Sequence, residues 1–338
     1  MSYLDQLAKY REPTLQTLLK AIPQDKSQPY LYEIIHDFLS TTGKGIRPAL
    51  CLATCGAHGG RIEEALNSAA AIELLHNAFL VHDDIEDLSE MRRNRPTVHV
   101  RYGVPLAVNT GDAMQALSLR LLCNNSAIVG PEIGWNIFEE FFHLLMRSLE
   151  GQALELGWIR NNDFSLVPED YIRMVLGKTC WYSFIHPCRI GALIAWRGQG
   201  DLDTFNEFAC YLGVLFQIQD DILNLTGREE YGKESAGDLY EGKRTLMLLH
   251  LFQNSGEAEK RELDRIFAKA RPDRMPGEIS WIYDLMQKRG SIDFARGVAQ
   301  QFYQAAEKTF DVAYARAEEN EHKQFLRGLL RFMETREL

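Results

Sequence analysis

The chain has 338 residues, 46% hydrophobic and 25% charged, an ordinary globular composition that needs neither disulfides nor a metal to build its core. Its formal charge of −10 argues against a nucleic-acid partner and suits a protein that recruits cations. No run of about 20 apolar residues occurs, so no transmembrane segment is expected.

The N-terminal text MSYLDQLAKYREPTLQ has no apolar core of a signal peptide. The first strong periodic segment is EEALNSAAAIELLHNAFLVHDDIED. It places Leu66, Ala69, Ala70, Ile72, Leu75, Phe79 and Leu80 at helical spacing with a broad apolar side. TVHVRYGV alternates like a strand, but it is short and ends at Gly103-Val104-Pro105, so a loop leading into a helix is expected. WNIFEEFFHLLMRSLEGQALELGWI, FNEFACYLGVLFQIQDDILNL, KRTLMLLHLFQ and ARGVAQQFYQAAEKTFDVAYARAEEN again read as helices, several of them apolar nearly all round. Breaks fall at 23–29, 41–48, 93–96, 159–170, 226–238 and 269–280, and none is a long linker. The expectation is all-α: one domain over residues 1–338, a bundle of ten or more helices with a buried central layer. Cys51, Cys55, Cys123, Cys180, Cys188 and Cys210 show no CxxC spacing and read as reduced core thiols of a cytoplasmic protein.

Two acidic clusters end apolar helices. Asp83 and Asp87 are four apart, Asp84 and Asp87 three apart, so the carboxylates can converge from one wall. Asp220, Asp221 and Asn224 repeat that spacing in FQIQDDILN. Solvated acidic helix ends would give the same text. So would facing walls that hold Mg²⁺, a hard cation that bridges carboxylates to a substrate phosphate. Basic residues favour a diphosphate between them. Lys44 and Arg47 stand in TGKGIRPAL beside two glycines at a helix start, where an anion is welcome. His76 lies two turns before Asp83; it is either a phosphate donor or a satisfied core histidine. Arg92 and Arg93 follow the first cluster, and Lys178-Thr179, Lys233, Asp238 and Lys243 recur later.

In order and spacing, GKGIRP, ELLHNAFLVHDDIED, RRNRPTVH, NTGDA, GQALEL, YIRMVLGKT, FQIQDDILN, GKESAGDL and EGKRT resemble the trans-isoprenyl diphosphate synthases, which include the farnesyl and geranylgeranyl diphosphate synthases. The likeness spans roughly Gly43 to Leu251. It implies a helical bundle around a deep cavity, usually a homodimer. It also implies isopentenyl diphosphate and an allylic diphosphate as substrates, with Mg²⁺, three ions in all, bound with the allylic diphosphate. Carried over by motif, Asp83, Asp84, Asp87, Asp220, Asp221 and Asn224 would hold metal. Lys44, Arg47, His76 and Arg93 would hold isopentenyl diphosphate, and Arg92, Lys178, Lys233 and Lys243 the allylic diphosphate. Thr179 and Gln217, with Lys178, would act at the reacting carbons. The implied reaction ionises the allylic diphosphate, joins the cation to the isopentenyl double bond and loses a proton to the released diphosphate. It needs no side-chain nucleophile, and the sequence offers none.

Three positions depart from the family pattern: Asn224 where Asp is frequent, Glu155 where Asp is common, and Cys180 where Gly is usual. Ala78 and Phe79, five and four places before Asp83, match the family's chain-length positions. One small and one aromatic residue there imply a C20 product, with C15 next. A class I terpene cyclase, a non-catalytic subunit of the same fold and a head-to-head condensing enzyme are the rival readings. GKGIRP and the arginine pair speak for a second diphosphate site and against the cyclase. The last 85 or so residues are amphipathic and carry no assigned chemistry.

Overall fold

Of the twelve residues in the helix Ile46–Ala57, eleven are buried, and the exception is Arg47. Such a helix must be wrapped on all sides, and the rest of the chain does the wrapping. The computed structural model describes residues 2–25, 27–41, 43–227 and 236–334. In chain order the helices are α1 (Tyr3–Ala21), α2 (Ile34–Leu39), α3 (Ile46–Ala57), α4 (Ile62–Glu86), α5 (Val98–Tyr102), α6 (Val104–Cys123), α7 (Asn125–Val129) and α8 (Pro131–Arg160). There follow α9 (Pro168–Val175), a π-helical stretch Leu176–Ile185, α10 (His186–Ala195), α11 (Asn206–Thr226), α12 (Gly237–Glu241) and α13 (Leu246–Gln253). The chain ends in α14 (Glu257–Phe267), α15 (Pro276–Lys288), α16 (Ser291–Ala313) and α17 (Glu321–Glu334). The fold is an all-α bundle, as the helical period predicts.

α3 packs on α4, α10, α17 and α1. α4 has acidic residues in its first turn, where the helix dipole favours them, and fully buried Ala65, Ala69, Ala70 and Ala71. Those small side chains let α3 and α6 come close. α11 lies across from α4 and packs on α16 and on the π-helical stretch, which also lies along α8. The hollow enclosed by these elements is the cavity described below.

The structure refines several boundaries. Thr97 precedes α5, so TVHV does lead into a helix. Between α4 and α5 stands a two-residue hairpin, Met91–Arg92 paired antiparallel with Arg95–Pro96. Its turn puts Arg93 at φ 51° and Asn94 at φ 61°. Two left-handed central residues match the twist of a short hairpin, although Arg is an unusual occupant. The helix expected from Lys243 begins at Leu246, because Thr245 caps it by accepting from the Leu248 N–H. That leaves Lys243 on a loop. The helix expected to reach Asn320 ends at Ala313. Cys51, Cys55, Cys180 and Cys188 are core thiols as expected, but Cys123, the last residue of α6, is exposed and Cys210 is half-buried.

Candidate active site

His76, Leu80, Asp83 and Asp87 fall on successive turns of α4 and line a cavity of about 450 Å³. Asp83 and Asp87 thus form the expected acidic wall. Asp84 does not join them. It is one residue, or about 100° of helix, out of phase. Its side chain is 1% exposed and its Oδ1 accepts from Arg92 Nε at 2.7 Å and Nη2 at 2.6 Å. Asp84 is therefore the orienter of Arg92, which itself lines the cavity. Asp87 accepts from Lys243 Nζ at 2.7 Å. Burial pushes the Asp87 carboxyl up against the pull of Lys243, and Glu241 and Asp83 add to the push.

The opposite wall is α11, which presents Gln217, Asp220 and Asp221. Thr179 Oγ1 donates to Gln217 Oε1 at 2.8 Å. Gln217 Nε2 donates to Asp221 Oδ1 at 2.8 Å, and the Tyr171 hydroxyl donates to Asp221 Oδ2 at 2.8 Å. This chain fixes the Gln217 amide with its oxygen toward Thr179. Burial raises the Asp221 carboxyl to about 7 despite those two donors, with Asp220 and Glu155 contributing. Asn224 is placed differently from Asp220 and Asp221. It is buried outside the cavity lining, its Oδ1 accepts the Asp238 N–H at 3.0 Å, and its main-chain oxygen accepts from Ala236 N at 2.9 Å. Its side chain holds the start of α12.

Lys178 and Thr179 sit in the π-helical stretch, a rare geometry that frequently marks functional sites. Gly151 of α8 makes room for it: a Cβ there would lie 2.1 Å from the Lys178 main-chain nitrogen. Glu155, one turn further on, takes the Lys178 ammonium at 2.5 Å. Burial would lower the lysine's pKa, but Glu155 and Asp83 outweigh it and hold the charge. Lys243 is held charged in the same way by Asp87, Glu241 and Asp238.

At the other end of the cavity, Lys44, Arg47, His76 and Arg93 converge around Gly43 and Gly45. Gly45 has φ 71°, a left-handed turn that lets the chain double back into α3. Arg47 donates from Nε to Ser183 Oγ at 3.0 Å and from Nη2 to the Tyr182 hydroxyl at 2.8 Å. Arg93 bonds the Thr41 main-chain oxygen. Burial, with Arg47, Arg93 and Arg92 close by, drives the His76 pKa well down, so the ring is neutral and offers one N–H. Glu73, a turn above, lines the same end, and burial raises its carboxyl against the pull of Arg47 and Arg93.

Of the sequence-predicted residues, the cavity gathers Asp83, Asp87, Asp220, Asp221, Lys44, Arg47, His76, Arg92, Arg93, Lys178, Thr179, Gln217 and Lys243. Lys233 lies outside the described residues. Ala78 is fully buried and Phe79 packs edge to face on Tyr182; Leu80 and Tyr182 line the cavity, and Ala78 and Phe79 do not. Phe79 is four residues before Asp83 and shares that side of α4, but the Tyr182 ring meets it edge to face. Sequence reading missed Glu73, Tyr171 and Tyr182. Glu73 had a signal, three residues before His76; the tyrosines reach the site only through tertiary packing.

The donors suit a hard divalent cation: four carboxylates on two walls, with no thiol or imidazole among them. Among the described residues, no three such side chains converge closely enough to hold an ion alone. The sequence profile of the family described as Polyprenyl synthetase matches residues 28–286. The geranylgeranyl diphosphate synthase of Sulfolobus acidocaldarius is 33% identical over 90% of this chain and 91% of its own length. A short chain isoprenyl diphosphate synthase of Methanothermobacter thermautotrophicus is 28% identical over 100% and 99%. The crystal structure of a geranylgeranyl pyrophosphate synthetase from Pyrococcus horikoshii superposes with a TM-score of 0.85 at 29% identity, covering 99% of this chain and 98% of that one. The chain belongs to the polyprenyl synthetase family of trans-isoprenyl diphosphate synthases and is a trans-prenyltransferase.

Proposed function

We propose that the protein, as a single helical domain, condenses isopentenyl diphosphate head to tail with an allylic diphosphate to give a linear all-trans prenyl diphosphate. The observation that carries this reading is one cavity with two differently charged ends. Asp83/Asp87 and Asp220/Asp221 oppose each other at one end, and Lys44, Arg47, Arg93 and neutral His76 gather at the other. A diphosphate enters each. Mg²⁺, three ions by family resemblance, would be held by Asp83, Asp87, Asp220 and Asp221 together with the allylic diphosphate and would neutralise its charge. Lys178, Lys243 and Arg92 add fixed positive charge where the departing diphosphate gains its negative charge. Thr179 and Gln217, hydrogen-bonded to each other, flank the allylic carbon as it becomes cationic, and Leu80, Met174 and Phe216 keep water from it. The isopentenyl double bond attacks, and the proton leaves to the released diphosphate.

C20 is the favoured product, with C15 next; the names of the Sulfolobus and Pyrococcus relatives support C20. The test is purified protein with Mg²⁺, isopentenyl diphosphate and a C5, C10 or C15 allylic diphosphate, followed by extraction and chromatographic sizing. Elongated linear product is expected. Cyclic hydrocarbon would mean a cyclase, and no turnover by a folded chain a non-catalytic subunit.

Proton competition gives a second test. A cation takes the ionised form of Asp221, whose carboxyl is raised to about 7. Below that pH a proton must leave first. The Mg²⁺ concentration for half-maximal rate should therefore rise about tenfold per pH unit below 7 and level off above it. A midpoint equal at pH 6 and pH 8 would mean that no proton leaves Asp221 as Mg²⁺ binds.

Two copies are the proposed assembly. Trp135, Phe142, Met146 and Leu149 make an exposed apolar stripe along α8, beside exposed Val108 and Leu119 on α6. Phe142→Asp with Leu149→Asp should halve the mass seen by light scattering; an unchanged mass would place the contact elsewhere. No helix among the described residues is long and apolar enough to cross a membrane, and the buried free thiols suit the reducing cytoplasm, where we place the protein.

A further inference from the structure

Tyr182 lines the cavity beside Arg47 and His76, and the prenyl-transfer scheme gives it no task. It follows Lys178 by four residues in the π-helical stretch. Its hydroxyl accepts from Arg47 Nη2 at 2.8 Å, and the guanidinium carbon lies 4.7 Å from its ring centre. The ring also lies 6.0 Å from the His76 ring and meets Phe79 edge to face at 5.5 Å and 87°. Tyr182 lines the cavity while Phe79 stands behind it.

We propose that Tyr182 is a positioning residue that holds Arg47 for the isopentenyl diphosphate and, braced by Phe79, forms the wall that limits the growing chain. The proposal rests on the prenyl-transfer reading above. Its first half follows from charge. Arg92 is tied to a carboxylate, Asp84, which spends part of its field. Arg47 is tied instead to two neutral hydroxyls, Tyr182 and Ser183, so its orientation is fixed and its charge stays available to an anion. The second half follows from shape. Removing the Tyr182 ring would open the cavity onto Phe79, which braces it from the α4 side.

Two substitutions separate the halves. Tyr182→Phe keeps the ring and loses the hydroxyl. The KM for isopentenyl diphosphate, and its Kd by calorimetry, should rise about fivefold. That rise should exceed both the fall in kcat and any change in KM for the allylic substrate, and product length should stay as in the wild type. Tyr182→Ala should lengthen the product by at least one C5 unit. Phe79→Ala, which leaves Tyr182 in place but unbraced, should do so less. Thermal melting confirms that each variant is folded. Equal losses for both substrates in Tyr182→Phe, or none, overturn the anchoring. An unchanged product distribution in both Tyr182→Ala and Phe79→Ala overturns the wall. Binding of isopentenyl diphosphate by a wild type that never condenses it would sink the functional reading while the Kd shift still tests the anchor.

Discussion

Asp83→Ala is expected to cut kcat/KM by about 10³-fold, the scale of losing one fixed group that stabilises developing charge through a metal. The side chain faces the cavity from an inner turn of α4 and carries none of the buried pairings that hold Asp84 and Asp87. The melting temperature should therefore stay within a few degrees of wild type. Asn224 supplies the contrast. Its amide oxygen takes a buried main-chain N–H, so Asn224→Ala should cost about 1–3 kcal/mol of stability. Its kcat/KM at saturating Mg²⁺ should fall far less than that of Asp83→Ala. Asn224→Asp, which restores the family's usual carboxylate, should not tighten Mg²⁺, because that position points at Asp238 and not into the cavity. A tenfold gain in Mg²⁺ affinity from Asn224→Asp, or an Asn224→Ala variant as inactive as Asp83→Ala with stability intact, would return Asn224 to the metal wall.

The contrast also marks where the sequence stops being legible. Helical period alone puts Asp83 and Asp87 on one face and makes α4 and α11 recognisable as apolar helices ending in acid. The same period cannot say which of two adjacent aspartates faces inward. That depends on Arg92 folding back across the hairpin to claim Asp84, and the hairpin turns on a positive φ at Arg93 that no propensity favours. The chain-length positions show the same limit. Counting back from Asp83 names Ala78 and Phe79, whereas the aromatic ring that meets Phe79 and lines the cavity is Tyr182, from a segment about a hundred positions later. Tyr171 reaches Asp221 across 50 residues. The composition of the site was thus readable, but its second layer of partners came only from packing.

Lys178→Met should do two things that can be pulled apart. The ammonium lies against Glu155, with the lysine side chain 19% exposed and the glutamate 7%. Removing it strands a buried carboxylate, which should destabilise the fold by about 3 kcal/mol. It also removes charge from the place where the diphosphate departs, which should slow turnover by about 10²–10³-fold. Adding Glu155→Gln removes the stranded charge. The double variant should recover most of the stability in urea and none of the rate, because the two residues are coupled in folding but only Lys178 brings positive charge to the departing diphosphate. Recovery of rate along with stability would mean that Lys178 merely props up α8 and the π-helical stretch. Gly151→Ala checks the same joint from the other side. Its Cβ would press on the Lys178 backbone at 2.1 Å, so the stretch must move away from α8 and carry Lys178 and Thr179 with it. Loss of turnover with Glu155 and Lys178 both present is expected, and an active Gly151→Ala enzyme would show that the position of this stretch is not what sets the rate.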